Sequence, residues 1–212
     1  MIIQWFGQSC FKIETKNKII SLNPYSEDSL DFKPPRFKAD ILLLSHPHTD
    51  RSSKTVILGE PFVLEGPGEI EKEGIFIEGI LSDHNNRLDQ NREYNTIYKI
   101  ETEDLTLCHL GNLGEKILKE EALEKLSEID ILFIPVGGDT IDAEEAVAII
   151  NQIEPKIVIP MHYQLKSSKN KLDALEKFLK AFGKKPEELD KLVIRKTQLP
   201  QETKLIVLKP NL

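Results

Sequence analysis

Short β-prone runs dominate the first half of the chain. Residues 2–6, 10–14 and 18–22 are separated by turn residues (Gly7-Gln8-Ser9 and Lys16-Asn17), which predicts an antiparallel meander. A polar, proline-containing loop follows over 23–38. Residues 40–45, Asp-Ile-Leu-Leu-Leu-Ser, form a continuous apolar run, the pattern of a strand buried on both faces. Further strands are predicted at 61–65, 74–82, 94–101 and 105–110. After Leu110 the period lengthens. Apolar residues at 118, 122, 123, 126 and 129 predict a helix over 116–129. Residues 130–135 and 156–160 read as buried strands. Between them, Asp142 and Glu145 have the spacing of a capping box, opening a helix to about Ile153. Residues 171–182 form an amphipathic pattern that ends at Gly183, with Pro186 just beyond. Two terminal strands are predicted at 192–196 and 204–208. No linker or repeat interrupts this pattern. It predicts one domain over 1–212, of α/β class, with sheets covered by helices on their outer faces.

The five histidines fall in telling places. His46 and His48 follow the apolar run that ends at Ser45. His84 follows the run ending at Ser82, and His162 follows the run 157–160. Three predicted buried strands thus each release histidine at their carboxyl ends, where loops of α/β sheets converge on a crevice. Packing seldom needs histidine there. Four of them, with Asp50 beside two, point to a metal site, because imidazole is a common zinc ligand and an i, i+2 pair in an extended loop directs both rings to one side. His109 differs. It alternates with Leu105 and Leu107 on one strand face, so it reads as a hydrogen-bonded core histidine that supports the site through the neighbouring turn at Asn112. Gly111-Asn-Leu-Gly114 and Val136-Gly-Gly138 follow strands, but neither matches a dinucleotide or phosphate-loop pattern. Ser9 and Ser45 lack a nucleophile-elbow context.

Composition narrows the partners. The chain has 212 residues, with 28 Lys plus Arg against 35 Asp plus Glu, a net charge of −7. Lysines are interleaved with glutamates, with no basic stripe, so nucleic acid is not the expected partner. No apolar run approaches the ~18 residues of a membrane span. The first residues carry neither a basic segment nor a small-residue cleavage site, so a cytoplasmic location is expected. Cys10 and Cys108 read as buried, reduced thiols rather than a disulfide framework. A homo-oligomer is compatible with all of this.

Seven stretches together resemble the metallo-β-lactamase superfamily: residues 3–11 (Ile-Gln-Trp-Phe-Gly-Gln-Ser-Cys-Phe), 45–51 (Ser-His-Pro-His-Thr-Asp-Arg), 66–69, 95–98, 108–114, 133–138 and 155–163. The pattern is similar to the small cytoplasmic Zn-dependent hydrolase branch, near the ascorbate-phosphate lactonase group. The resemblance covers nearly the whole chain. It implies an αββα four-layer sandwich of two mixed sheets with helices outside and metals at one sheet edge. It also implies one metal on His46, His48 and His84. The family's second metal site maps onto Asp50, Arg51 and His162, its bridging aspartate onto Asn112, and an aspartate that orients the motif loop onto Asn23.

Three of these positions depart from the pattern. Arginine is permanently protonated and cannot ligate a metal. Asparagine offers a carbonyl oxygen but no charge, so Asn112 bridges cations poorly. The second site keeps only Asp50 and His162, whereas the first keeps three imidazoles. Losing the bridging carboxylate and gaining Arg51 each make the site one unit more positive, a total of two that equals the charge of the missing ion. Arg51 as an electrostatic stand-in for that ion, and drift after loss of function, are both compatible with this. The expectation is a hydrolase with one zinc on His46, His48 and His84. Asp50 is the candidate base, and Arg51 or His162 would stabilise the developing negative charge. By resemblance the substrate is an ester, lactone or phosphoester. The alternative is a non-catalytic protein that binds an anionic ligand on the same scaffold. A nucleic-acid-processing role is disfavoured by the charge.

Overall fold

The computed structural model describes residues 1–26, 33–46, 54–84, 94–166, 168 and 171–212. The opening meander is present as β1 (Ile2–Trp5), β2 (Phe11–Glu14) and β3 (Ile19–Leu22), paired antiparallel in order. The chain then adds β4 (Ile41–Leu44) and β5 (Phe62–Glu65), each parallel to its predecessor. With β13 (Leu192–Val193) antiparallel to β1, this makes a six-stranded sheet in the order β13-β1-β2-β3-β4-β5.

The second sheet has eight strands. Its antiparallel part is β6 (Gly68–Lys72), β7 (Ile75–Asp83), β8 (Tyr94–Thr102) and β9 (Leu105–His109). Its parallel part adds β10 (Ile131–Pro135), β11 (Ile157–Met161), β14 (Lys204–Leu208) and β12 (Glu187–Leu189). Both sheets are therefore mixed. Their facing sides share one core, in which Trp5, Phe11 and Ile13 of the first sheet meet Leu107, Phe133 and Ile159 of the second.

β4 shows why its run is apolar without alternation. Ile41 and Leu43 enter the core between the sheets, whereas Leu42 and Leu44 pack with Ala39 and Ile57 on the other side. The described helices α1 (Glu120–Lys125), α2 (Ala143–Ile153) and α3 (Leu175–Phe182) all belong to connections of the eight-stranded sheet. α2 lays Ala146, Ile149, Ile150 and Ile153 onto the core. It opens on the capping box: Asp142 Oδ1 accepts from the Glu145 amide at 2.9 Å, and Glu145 Oε2 accepts from the Asp142 amide at 2.9 Å.

Several elements differ from the expectation. The helix predicted over 116–129 is only the six residues of α1. Leu118, Leu126 and Ile129 are buried as the stripe requires, but Lys119 supplies no side-chain cap. α3 starts four residues later than its amphipathic pattern, again without a side-chain cap at Ala174. The strand expected over 192–196 stops at Val193, and residues 196–198 form a 3₁₀ turn. β6 and β12 were not anticipated, because Gly-Glu-Ile-Glu-Lys and Glu-Glu-Leu lack β-branched or aromatic density. β7 is not sealed on both faces as its run suggests: it lies beside the edge strand β6 and leaves Leu81 55% exposed. Among the described residues, no helix is long and apolar enough to cross a membrane.

Candidate metal site

The carboxyl ends of strands from both sheets meet at one edge. β4 ends in Ser45-His46, β7 in His84, β9 in the turn with Asn112, β10 in the loop with Asp139, and β11 in His162. The end of β1 adds Ser9, and the end of β3 adds Asn23. His46 comes from one sheet and His84 from the other, yet their ring centres lie 5.4 Å apart. His48, Asp50 and Arg51 lie outside the described residues.

The polar scaffold holding these side chains can be followed bond by bond. Asn23, in the left-handed region at φ 41°, grips the end of β4 from both sides. Its Oδ1 accepts from the Ser45 amide at 2.9 Å, and its Nδ2 donates to Ser45 Oγ at 2.8 Å. The position that resemblance maps to loop orientation thus does contact the strand end that carries the motif. Ser45 Oγ in turn lies 2.9 Å from His46 Nδ1. Asn112 Nδ2 lies 3.5 Å from His46 Nε2, and Asn112 Oδ1 accepts from Ser9 Oγ at 2.8 Å. Ser9 Oγ is also 3.4 Å from His162 Nδ1. A continuous polar chain therefore links Asn23, Ser45, His46, Asn112, Ser9 and His162.

Two residues of this scaffold carried no role in the sequence reading. Asn95 is fully buried. Its Oδ1 accepts from the Asn112 amide at 2.9 Å, and its Nδ2 donates to Leu110 O at 2.9 Å and Ser82 Oγ at 2.8 Å. It ties the end of β7 to the Asn112 turn. A fully buried asparagine needs such partners, and a polar residue inside an apolar strand was the available signal. The second is Asp139. Its Oδ2 lies 3.7 Å from His162 Nε2, and the His162 ring, first as a hydrogen-bond donor and then through its charge, with a weaker contribution from His84, holds its carboxyl below the usual range against the opposing effect of burial.

Two glycines permit this close assembly. Gly111 adopts φ +62°, and a Cβ there would fall 2.3 Å from Asn95 Oδ1 and 2.6 Å from Ser45 Cβ. At Gly137 a Cβ would fall 2.1 Å from the carbonyl oxygen of His162. The Val136-Gly-Gly138 stretch therefore serves contact between loops rather than nucleotide binding.

His109 is a buried support, as expected. The Gly111 amide donates to its Nδ1 at 3.1 Å, so Nε2 carries the proton and donates to Ser9 O at 3.1 Å. Burial between the Phe11 and Phe133 rings pushes its pKa down from 6.5 to about 4. The folded state keeps His109 neutral while the unfolded chain protonates it below 6.5. Stability from this group is therefore complete above pH 6.5 and is lost as pH falls towards 4, by about 3 kcal/mol across that window. Urea melts of wild type and His109→Gln from pH 7 to 4 should show a steeper decline for the wild type. Equal slopes would contradict the assignment.

The site can be tested for its fit to a metal. Among the described residues no group of three or more His, Cys, Asp or Glu side chains gathers closely enough to hold an ion. The described pair does fit part of such a set. Two imidazoles on one tetrahedral ion, with metal–nitrogen bonds of about 2.0–2.1 Å, place their ring centres about 5 Å apart. The His46 tautomer also suits a ligand: with Asn112 Nδ2 facing Nε2, the ring proton belongs on Nδ1 towards Ser45 Oγ, which leaves a lone pair on Nε2.

A sandwich of two mixed sheets with histidines gathered at the strand ends of both is the architecture of the metallo-β-lactamase fold. The chain belongs to the β-lactamase superfamily: the family model described as "Beta-lactamase superfamily domain" matches residues 2–162. A Thermotoga maritima structure, assigned to the Zn-dependent hydrolases of the metallo-β-lactamase superfamily, superposes with TM-score 0.81 and 31% identity over 98% of this chain and 97% of that one. A Thermoplasma acidophilum protein named a UPF0173 metal-dependent hydrolase is 28% identical over 187 residues, covering 76% of this chain and 82% of its own length. A Pyrococcus abyssi protein is 27% identical over 188 residues, 77% and 83% of the two chains.

Proposed function

We propose that the chain is a metal-dependent hydrolase that holds one zinc tightly on His46, His48 and His84. The observation that carries this is the pairing of His46 with His84: strands of different sheets bring two imidazoles to one point, on a scaffold shared with relatives named metal-dependent hydrolases. A bound zinc would supply a water of lowered pKa as nucleophile. Asp50 is assigned as the base that takes up the water's proton. Arg51 and His162 are assigned to the negative charge that develops on the substrate. Asn112 contributes position rather than charge, holding His46 on one side and Ser9 on the other. The substrate is a small ester, lactone or phosphoester.

The test is hydrolysis of a panel of generic esters, lactones and phosphodiesters before and after chelation. Activity on at least one class should disappear with chelator and return with zinc. Zinc-loaded, folded protein inert across the panel would favour the alternative, a binding protein for an anionic ligand.

A further inference from the structure

We infer that Gln8 is a substrate-binding residue of this site, whose carboxamide receives a neutral primary amide or ureido group that the substrate carries beside the bond to be cleaved. The inference rests on the reading of this sheet edge as a hydrolase site and deepens it by naming a feature of the substrate.

An unpaired polar group leads to it. Gln8 is 7% exposed, and its Oε1 and Nε2 are both buried without a hydrogen-bond partner. Among the described residues no other buried side chain leaves a donor and an acceptor unanswered together. Buried polar groups are as a rule paired, and each that is not costs the protein its full desolvation. The backbone adds a second cost. Gln8 adopts φ 48°, in the left-handed region that residues other than glycine rarely occupy. An unbranched apolar side chain would fill the same space without the first cost. Two unfavourable features on one residue of a site loop point to a role other than stability.

Its place in the fold gives that role. Gln8 lies in the turn between β1 and β2, and this turn is built into the site. The Gln8 carbonyl accepts from the Trp5 indole at 2.8 Å and from the His162 amide at 3.1 Å. The next residue, Ser9, donates to Asn112 Oδ1 at 2.8 Å and lies 3.4 Å from His162 Nδ1. The Cys10 amide closes the turn on Gly7 O at 2.9 Å. The Gln8 backbone is thus fixed against the histidine assigned to the substrate's developing charge. Its side chain is held by no hydrogen bond and gives up none when it turns to a ligand. Folding has already stripped the carboxamide of water, so a ligand that pairs with it gains both hydrogen bonds without that desolvation cost.

The chemistry of the group defines its complement. A carboxamide sets an acceptor oxygen beside a donor nitrogen. A ligand that answers both presents the reverse pair side by side, as a primary amide or a ureido group does. A carboxylate has no donor, and a ketone has none either. The group recognised is therefore polar but uncharged, whereas Arg51 and His162 serve the charge that develops at the reacting bond.

The experiment compares zinc-loaded, full-length wild type and Gln8→Met on two esters that differ in one group. Ethyl succinamate ends in a primary amide, and ethyl levulinate has a methyl group in place of the amide nitrogen. Wild type should show a KM for the succinamate at least about tenfold below that for the levulinate, because a site that hydrogen-bonds a group rejects the analogue lacking it. In Gln8→Met the two KM values should converge, with the change in KM rather than kcat and with zinc content as in wild type. The variant should also resist urea better than wild type, since it removes the unpaired carboxamide. Methionine is unbranched like glutamine, so the left-handed backbone weighs alike on both. Equal KM values for the two esters in wild type, or a Gln8→Met protein no more stable than wild type, would overturn the inference. If wild type cleaves neither ester, calorimetric titration with succinamide decides. Binding by wild type that Gln8→Met loses supports the inference, and no binding by wild type overturns it. Inertness across the wider panel of esters, lactones and phosphodiesters would instead sink the hydrolase reading, and the titration would still decide the role of Gln8.

Discussion

Alanine at His84 should remove the tightly bound metal and reduce hydrolysis by about a thousandfold or more, equivalent to at least about 4 kcal/mol of transition-state stabilisation. His84 terminates β7 at the surface end of the sandwich, outside the core shared by the two sheets, so the loss should be chemical rather than structural. His46→Ala should have the same effect on metal. It carries a small additional cost in stability, because the Nδ1 contact with Ser45 Oγ at 2.9 Å disappears from the grip that Asn23 holds on the end of β4. His109→Gln should leave the metal count unchanged, since both ring nitrogens of His109 are occupied by Gly111 N and Ser9 O. Elemental analysis of the variants, with thermal melts as the folding control, separates these outcomes. A His84→Ala protein that keeps its zinc would remove His84 from the ligand set.

Restoring the family's motif residues should have the opposite effect. R51H/N112D replaces two non-ligands and lowers the net charge of the site by two units, one positive charge removed and one carboxylate gained. With Asp50 and His162 it offers four protein donors to a second ion. Asn112 already stands between His46 Nε2 and Ser9 Oγ, so a carboxylate at that position meets His46 without rebuilding the turn, whose amide stays fixed by Asn95 Oδ1. The double variant should hold two tight zinc ions per chain, and generic lactone or phosphodiester hydrolysis should rise at least about tenfold. Each single change should give less than half of the free-energy gain, because the donors act as one site and neighbours couple. A well-folded double variant that still holds one tight ion would mean that the pocket itself has been remodelled beyond its ligands.

Much of the fold was legible because burial dictates period. The unbroken run at 41–44 belongs to a strand whose alternate residues enter two different apolar clusters. The capping-box spacing of Asp142 and Glu145 marked the start of α2 to the residue. The stripe at 118–129 told which side chains turn towards the core, Leu118, Leu126 and Ile129 buried and Ala122 and Leu123 half-buried against it, but not how many turns form, since helix length also depends on caps, and Lys119 provides none. The edge strands β6 and β12 escaped notice because their side chains are mostly exposed and charged, which leaves no apolar pattern to read. At the site, histidines following strands were informative because packing rarely requires them there. Asp139 was hidden for the converse reason. A lone aspartate after two glycines looks like a turn, and only the contact of Gly137 with the His162 carbonyl brings it to the imidazole. The grip of Asn23 on Ser45 was indicated only by resemblance, because the two lie 22 residues apart and no local pattern joins them.

The central claim is that two imidazoles from β4 and β7, with His48, hold one metal. The most direct measurement is the metal content of the wild-type protein purified without added zinc and passed through a desalting column that strips weakly held ions. About one zinc per chain is predicted. No metal, persisting after dialysis against zinc, would contradict the account.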